Sequence, residues 1–268
     1  MPHNLKFWQV DAFTNKPFKG NPAAVFVLDE ELESDFMQNI AVEMNLSETA
    51  YILRRSGQNP LLRWFTPMFE IDLCGHATLA SAHIYLTKIE PERNSITFDT
   101  NEAGSLTVSK QGDGYVMDFP MRPGTPKPLT DIPDFVFKAL SPTKPAAAFQ
   151  ARDLMLVYDD AETVRNMTPD FNALMTYKDF IIVTAPSDDP EFDCVSRFFC
   201  ADDGIAEDPV TGSAHCTIAP YWAERLDKST LRAYQASKRG GVLNLEMKGD
   251  RLDIGGQAIT VLQGELLI

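Results

Sequence analysis

Residues 77–87 contain Ala77, Leu79, Ala80, Ala82, Ile84 and Leu86 and neither proline nor glycine. This reads as a helix that is apolar on most of its circumference rather than along one stripe, and such a helix is surrounded by other structure. A turn, Cys74-Gly75-His76, leads into it. The fold must therefore supply a wrapping, and the flanking segments read as strands. These are 5–11, 23–28, 48–54 and 61–66 before it, and 95–100, 105–110 and 114–119 after it. A further helix at 33–45 carries Phe36, Ile40 and Met44 at helical spacing.

The second half repeats the outline. Strands are expected near 153–158, 179–185 and 193–199, then a loop, ADDGIAEDPVTG, opens into a helix at 213–226, followed by strands near 230–235, 242–247 and 258–263. Sliding residues 70–82 onto 207–219, a shift of 137, matches Glu70 with Glu207, Gly75 with Gly212, Ala77 with Ala214 and Ala82 with Ala219. Glycine and alanine are common, so the matches alone weigh little. The shift is nevertheless close to half of the 268 residues, and both copies are a turn feeding a buried helix. Between the halves, Pro120, Pro123, Pro126, Pro128 and Pro133 rule out a helix or central strand. The expected fold class is α+β, with two pseudo-equivalent domains, each a β-sheet or barrel wrapped around a central helix. The expected boundaries are 1–118, a Pro-rich linker at 119–133, and 134–268, with the option that the last strand returns to the first domain.

Lys plus Arg is 24 and Asp plus Glu is 38, a formal charge of -14, so a nucleic-acid partner would meet an opposing field. No window approaches the roughly 20 apolar residues that span a bilayer, which argues against a membrane partner. The first twenty residues lack a continuous apolar signal-peptide core, and the expected location is the cytoplasm. Cys74, Cys194, Cys200 and Cys216 form no C-x-x-C pair, and His3, His76, His83 and His215 form no H-E-x-x-H pattern. Reduced thiols and no metal are expected.

Both turns put glycine directly before a helix, where unpaired N–H groups and the positive end of the dipole make an anion site. If the halves face each other across a cleft, a small carboxylate would sit between Gly75-His76 and Gly212-Ser213. The bland alternative is that the glycines only let the helices start tightly. Asp208, between Glu207 and Pro209, reads either as a helix cap or as a carboxylate aimed at an amine or hydroxyl of a ligand. His215 reads as a packed core or surface histidine. Cys74, at a helix start, is placed where a dipole lowers a thiol's pKa. A two-base epimerase needs a second thiol at the equivalent turn; Thr211 stands there, and Cys216 lies a turn too deep. Glu48 precedes the apolar run Thr49-Ala50-Tyr51-Ile52-Leu53, where desolvation would raise its pKa toward neutrality, although on the sequence alone it reads first as a water-exposed strand-edge Glu.

Four segments in order, VDAFTNKPFKGNPAAVFVL at 10–28, NLSETAYI at 45–52, DLCGHATLASAH at 72–83 and EDPVTGSAH at 207–215, resemble the PhzF-like family, named for the isomerase of phenazine biosynthesis. The stretch QASKRGG at 235–241 and the GGQA turn extend the resemblance across almost the whole chain. It implies the diaminopimelate epimerase-like fold, no cofactor, and an isomerase that moves a proton between carbons of a small carboxylate, of dihydro-hydroxyanthranilate type. The acid/base glutamate maps onto Glu48. Substrate positioning maps onto His76, Asp208 and Ser213, with Gly75 and Gly212 supplying backbone amides. The resemblance also implies a homodimer. Two alternatives stay open, an amino-acid epimerase or racemase using Cys74 with Glu48, and a non-catalytic small-ligand-binding protein.

Overall fold

The computed structural model describes residues 4–201 and 205–268; His3 and residues 202–204 of the loop before the second central helix lie outside the described residues. Contacts divide the chain into two units, Met1–Asp118 with Gly255–Ile268, and Phe119–Ile254.

In the first unit, β1 (Asn4–Ala12) and β2 (Asn21–Leu28) pair antiparallel. The chain crosses through α1 (Ser34–Met44) to β3 (Glu48–Leu53), parallel to β2, because two parallel strands need a crossover between them. Next come β4 (Leu61–Phe65), β5 (Glu70–Ile71) and the central helix α2 (Gly75–Ile84), which continues as a π turn over Tyr85–Ile89. The meander β6 (Ser95–Asp99), β7 (Ser105–Gln111) and β8 (Gly114–Pro120) follows. The last strand of the chain, β18 (Ala258–Leu267), pairs antiparallel with β1.

Helix α2 buries every residue from His76 to Ala82 and also Ile84, and it packs against β1, β2, β3, β7 and β18. The expected helix at 77–87 therefore starts two residues earlier and changes to π geometry at Tyr85. On another face of the sheet, Met37, Ile40 and Ala41 of α1 cover Phe26, Tyr51 and Phe65. Close approach to α2 requires glycine at 256, since a Cβ there would stand 2.4 Å from the Phe13 ring and 3.4 Å from Leu79.

The second unit contains β9 (Thr125–Pro126), α3 (Asp134–Leu140), β10 (Ala147–Gln150), β11 (Leu154–Val157), α4 (Ala161–Arg165) and α5 (Phe171–Leu174). It continues with β12 (Ile181–Pro186), β13 (Cys194–Cys200), β14 (Ile205–Asp208), the central helix α6 (Gly212–Leu226), β15 (Thr230–Gln235), β16 (Gly241–Lys248) and the start of β17 (Arg251–Gly256). The strand β13 has β12 and β14 antiparallel to it and β15 parallel to it. Helix α6 buries Gly212, Ala214–Ala219 and Trp222, and the Trp222 indole N–H donates to Thr184 Oγ1 of β12 at 2.9 Å. Val136, Phe137 and Leu140 of α3 join Leu154, Leu156, Val183 and Phe199 in a further core. The short helices α4 and α5 carry no apolar period, yet each has an aspartate N-cap, Asp160 accepting from Thr163 N and Asp170 from Ala173 N.

Pro220 lies inside α6 and has no N–H for the carbonyl of Cys216, four residues earlier. That carbonyl is satisfied from outside the helix by the Arg122 N–H at 2.9 Å. The proline-rich stretch is thus tied to the middle of the central helix. Arg122→Pro removes this donor and is expected to cost about 1–3 kcal/mol, the penalty for an orphaned buried carbonyl. In a Pro220→Ala background the helix supplies its own N–H, so denaturant unfolding of the four proteins is expected to show a much smaller cost there; equal costs in both backgrounds would exclude the bond as the cause.

Candidate active site

The parallel pairing of β2 and β3 sets Ala23 opposite Glu48, which brings Asn21, the first residue of β2, and Glu48, the first residue of β3, to one end of the sheet. The start of α2 lies at that end. His76, 4% exposed, has Nε2 2.8 Å from Glu48 Oε2, while Nδ1 faces the Asn21 amide nitrogen at 3.0 Å and Cys74 Sγ at 3.4 Å. The Glu48 side chain is 13% exposed, so the water-exposed strand edge allowed by the sequence gives way to a largely enclosed carboxylate. Its contact with His76 is close but poorly directed, and neither Glu48 Oε2 nor His76 Nε2 has an aligned hydrogen-bond partner among the described residues. Buried polar groups are nearly always satisfied, and these two face each other as a close ion pair at 2.8 Å.

Burial alone would lower the pKa of His76, but the facing Cys74 and the Glu48 carboxylate more than offset it and hold it well above the ordinary range. Burial raises the Cys74 pKa, and the Glu48 charge adds to this against the opposing effect of His76. The helix-start expectation of a lowered thiol pKa is therefore corrected: the side chain is 7% exposed, and desolvation outweighs the dipole. Glu48, Cys74 and His76 also form a group whose ligand atoms all lie within 4.8 Å of one another, a donor set compatible with zinc. The imidazole turns different nitrogens to the thiol and to the carboxylate, so an ion on either nitrogen would have to draw the other ligand across the ring.

The start of α6 is built in the same manner. Thr211 is its N-cap, as Cys74 is the N-cap of α2, and neither cap side chain bonds its helix. The Thr211 hydroxyl instead donates to Asp208 Oδ2. Asp208 thus accepts from the N-cap residue itself. Ser213 Oγ accepts from Arg152 Nη2 at 3.2 Å, and Arg152 is held by a bidentate pair with the buried Asp153. A guanidinium only donates, so the Ser213 hydroxyl proton is directed elsewhere. Gly212 is the first residue of the helix and is buried. His215 is fully buried, with Nδ1 2.8 Å from the Thr211 carbonyl.

Asn21, Arg152 and Gln235 escaped the sequence reading as individual residues. Asn21 and Gln235 stand in quoted segments, GNPAAV and QASKRGG, but a lone polar residue in such a segment shows nothing of its partner; Arg152 carried no local signal. No helix among the described residues is long and apolar enough to cross a membrane.

A sheet enclosing one central helix in each unit defines the diaminopimelate epimerase-like class of fold. Solved structures agree. The chain is similar to a PhzF-family phenazine biosynthesis protein of Enterococcus faecalis, 45% identical with a TM-score of 0.93 over 99% of this chain and 100% of that one. A hydroxyproline epimerase from Agrobacterium vitis, 9% identical with a TM-score of 0.63 over 99% of this chain and 93% of that one, shares the fold. A family model described as phenazine biosynthesis-like protein matches residues 10–264. An uncharacterized isomerase of Halalkalibacterium halodurans is 46% identical over 97% of both chains, and the human phenazine biosynthesis-like domain-containing protein is 36% identical over 98% of this chain and 99% of its own. The chain belongs to the phenazine biosynthesis-like, PhzF family of isomerases.

Burial pushes the pKa of His215 down to about 4, partly opposed by its bond to Thr211. Between the ordinary value of 6.5 and about 4, the unfolded chain binds a proton at this residue that the folded chain refuses. Stability therefore falls as pH falls through that window and is indifferent to this residue above it. His215→Asn, which keeps a side-chain N–H near Nδ1, is expected to flatten the slope of unfolding free energy by up to about 1.4 kcal/mol per pH unit there. Urea unfolding across the window checks this, and an unchanged slope contradicts it.

Proposed function

We propose that this isomerase moves a proton between carbons of a small carboxylate substrate of dihydro-hydroxyanthranilate type, with Glu48 as the single general acid and base and no cofactor. The observation that carries the reading is a largely enclosed carboxylate, Glu48, whose Oε2 stands 2.8 Å from His76 Nε2 at the start of α2. A carboxylate with no aligned partner can take a proton from a substrate carbon and return it to another on the same face, and His76 stabilises the charge that develops between the two steps. Gly75 and His76 at the start of α2 are assigned to substrate binding, as are Asp208, Gly212 and Ser213 at the start of α6. Support comes from the absence of a side-chain cap on either helix, which leaves N–H groups for an anion. The homodimer implied by the resemblance is carried as part of the same reading.

The epimerase alternative draws on Cys74 Sγ, 3.4 Å from His76 Nδ1. Against it, burial disfavours the thiolate that would act as a base, and the residue at the matching N-cap is Thr211 rather than a second cysteine.

Solvent-deuterium uptake by substrates in a metabolite mixture, followed by mass spectrometry, measures turnover without presupposing the compound; no uptake into any compound would favour a non-catalytic binding protein. Glu48→Gln is expected to reduce uptake at least on the order of a hundredfold while the protein stays folded. Cys74→Ala is expected to keep most of it, at a stability cost of about 1 kcal/mol. A folded Cys74→Ala protein without turnover would transfer the role to the thiol.

A further inference from the structure

The segment QASKRGG has no role in the chemistry described so far, yet two of its side chains, Gln235 and Ser237, hold the stretch from Asp208 to Thr211. Gln235, 1% exposed at the end of β15, accepts from Thr211 N at 2.8 Å through Oε1. Its Nε2 donates to the Asp208 carbonyl at 2.8 Å and to Thr211 Oγ1 at 3.2 Å. The orientation of this amide is dictated by its partners, because a backbone N–H can meet only the oxygen and a backbone carbonyl only the nitrogen. Ser237 Oγ donates to the Pro209 carbonyl at 2.8 Å and accepts from Gly240 N at 3.1 Å. Gly240 has φ +67, and a Cβ there would meet Tyr234 Oη at 2.2 Å, so only glycine closes this loop.

The direction of the bonds has a chemical consequence. Thr211 Oγ1 receives a hydrogen from Gln235, so its own proton is committed to Asp208 Oδ2. We infer that Gln235 and Thr211 form a two-step donor relay that holds Asp208 as an oriented hydrogen-bond acceptor, which selects substrates carrying an amine or hydroxyl beside their carboxylate. Gln235 and Thr211 are positioning residues: Gln235 acts through Thr211, and Thr211 acts through Asp208. The inference rests on the proposed substrate-binding role of Asp208.

Thr211, although at an N-cap, thus spends its hydroxyl proton on Asp208 and one acceptor site on Gln235 and makes no bond to its own helix. Charged and titratable groups on the surrounding elements include Arg197 of β13 and Glu207 of β14, joined as a bidentate pair, Arg152 against Ser213, the neutral His215 on α6, and Lys238 and Arg239 of the QASKRGG segment itself. None of these is altered in the variants below, so a difference between variants reports the relay.

The test is a carboxyl carbon NMR titration of aspartate-labelled protein, with the Asp208 signal identified by its loss in Asp208→Asn. Removing a donor from a carboxylate raises its pKa, so Thr211→Val is expected to move the Asp208 midpoint up by about one pH unit. Gln235→Met is expected to move it in the same direction by less. Thr211→Ser restores the hydroxyl and should titrate like the parent, which a role limited to packing would not require. A parental Asp208 midpoint in folded Thr211→Val or in folded Gln235→Met would overturn the relay. Because the titration needs no substrate, its outcome is separable from the substrate-binding role, which fails instead if Asp208→Ala leaves deuterium uptake unchanged.

Discussion

Helix α2 buries every residue from His76 to Ala82, and the first half of α6 buries Ala214 to Ala219, so that both are enclosed on all sides there. A helix without a polar face has nowhere to meet water except at its ends, so sheet must curl around it and its termini become the points where backbone polarity is accessible. The other principal features of each unit follow from this enclosure. It calls for glycine at 256, where Phe13 and Leu79 leave no room for a side chain, and it demands an external donor for the Cys216 carbonyl that Pro220 strands.

At the start of α2, burial and charge compete, and burial decides the character of the thiol. The dipole of α2 favours a thiolate at its N-cap, yet desolvation and the carboxylate of Glu48 push the Cys74 pKa up, while Cys74 and that same carboxylate, 2.8 Å from the ring, push the His76 pKa up against burial.

At the start of α6, polarity is managed by committed donors. Arg152, fixed by the buried Asp153, occupies an acceptor site of Ser213, and Gln235 occupies one of Thr211. In each case a group that can only donate leaves the hydroxyl to donate in its turn. Hydroxyl groups, which rotate freely in isolation, are thereby given a direction. Arg197 braces the strand beneath them, pairing with Glu207 while donating to the Val164 and Met167 carbonyls.

The two central helices, most of the long strands and the equivalence of the Cys74 and Thr211 turns were legible in the sequence, because apolar period and the position of glycine are local properties that the chain displays without its partners. Helices α4 and α5 were not, since five and four residues cannot complete an apolar period. Glu48 and His76 stood out only through motif resemblance, and their contact depends on the parallel pairing of β2 with β3, which aligns two strand starts 27 positions apart in sequence, Asn21 and Glu48, at one end of the sheet. The sign of the Cys74 shift, the use of Thr211 as a relay rather than a cap and the clamp by Gln235 were decided by tertiary structure alone. Desolvation and hydrogen-bond direction depend on which groups surround an atom in space, and that is settled only when distant segments pack.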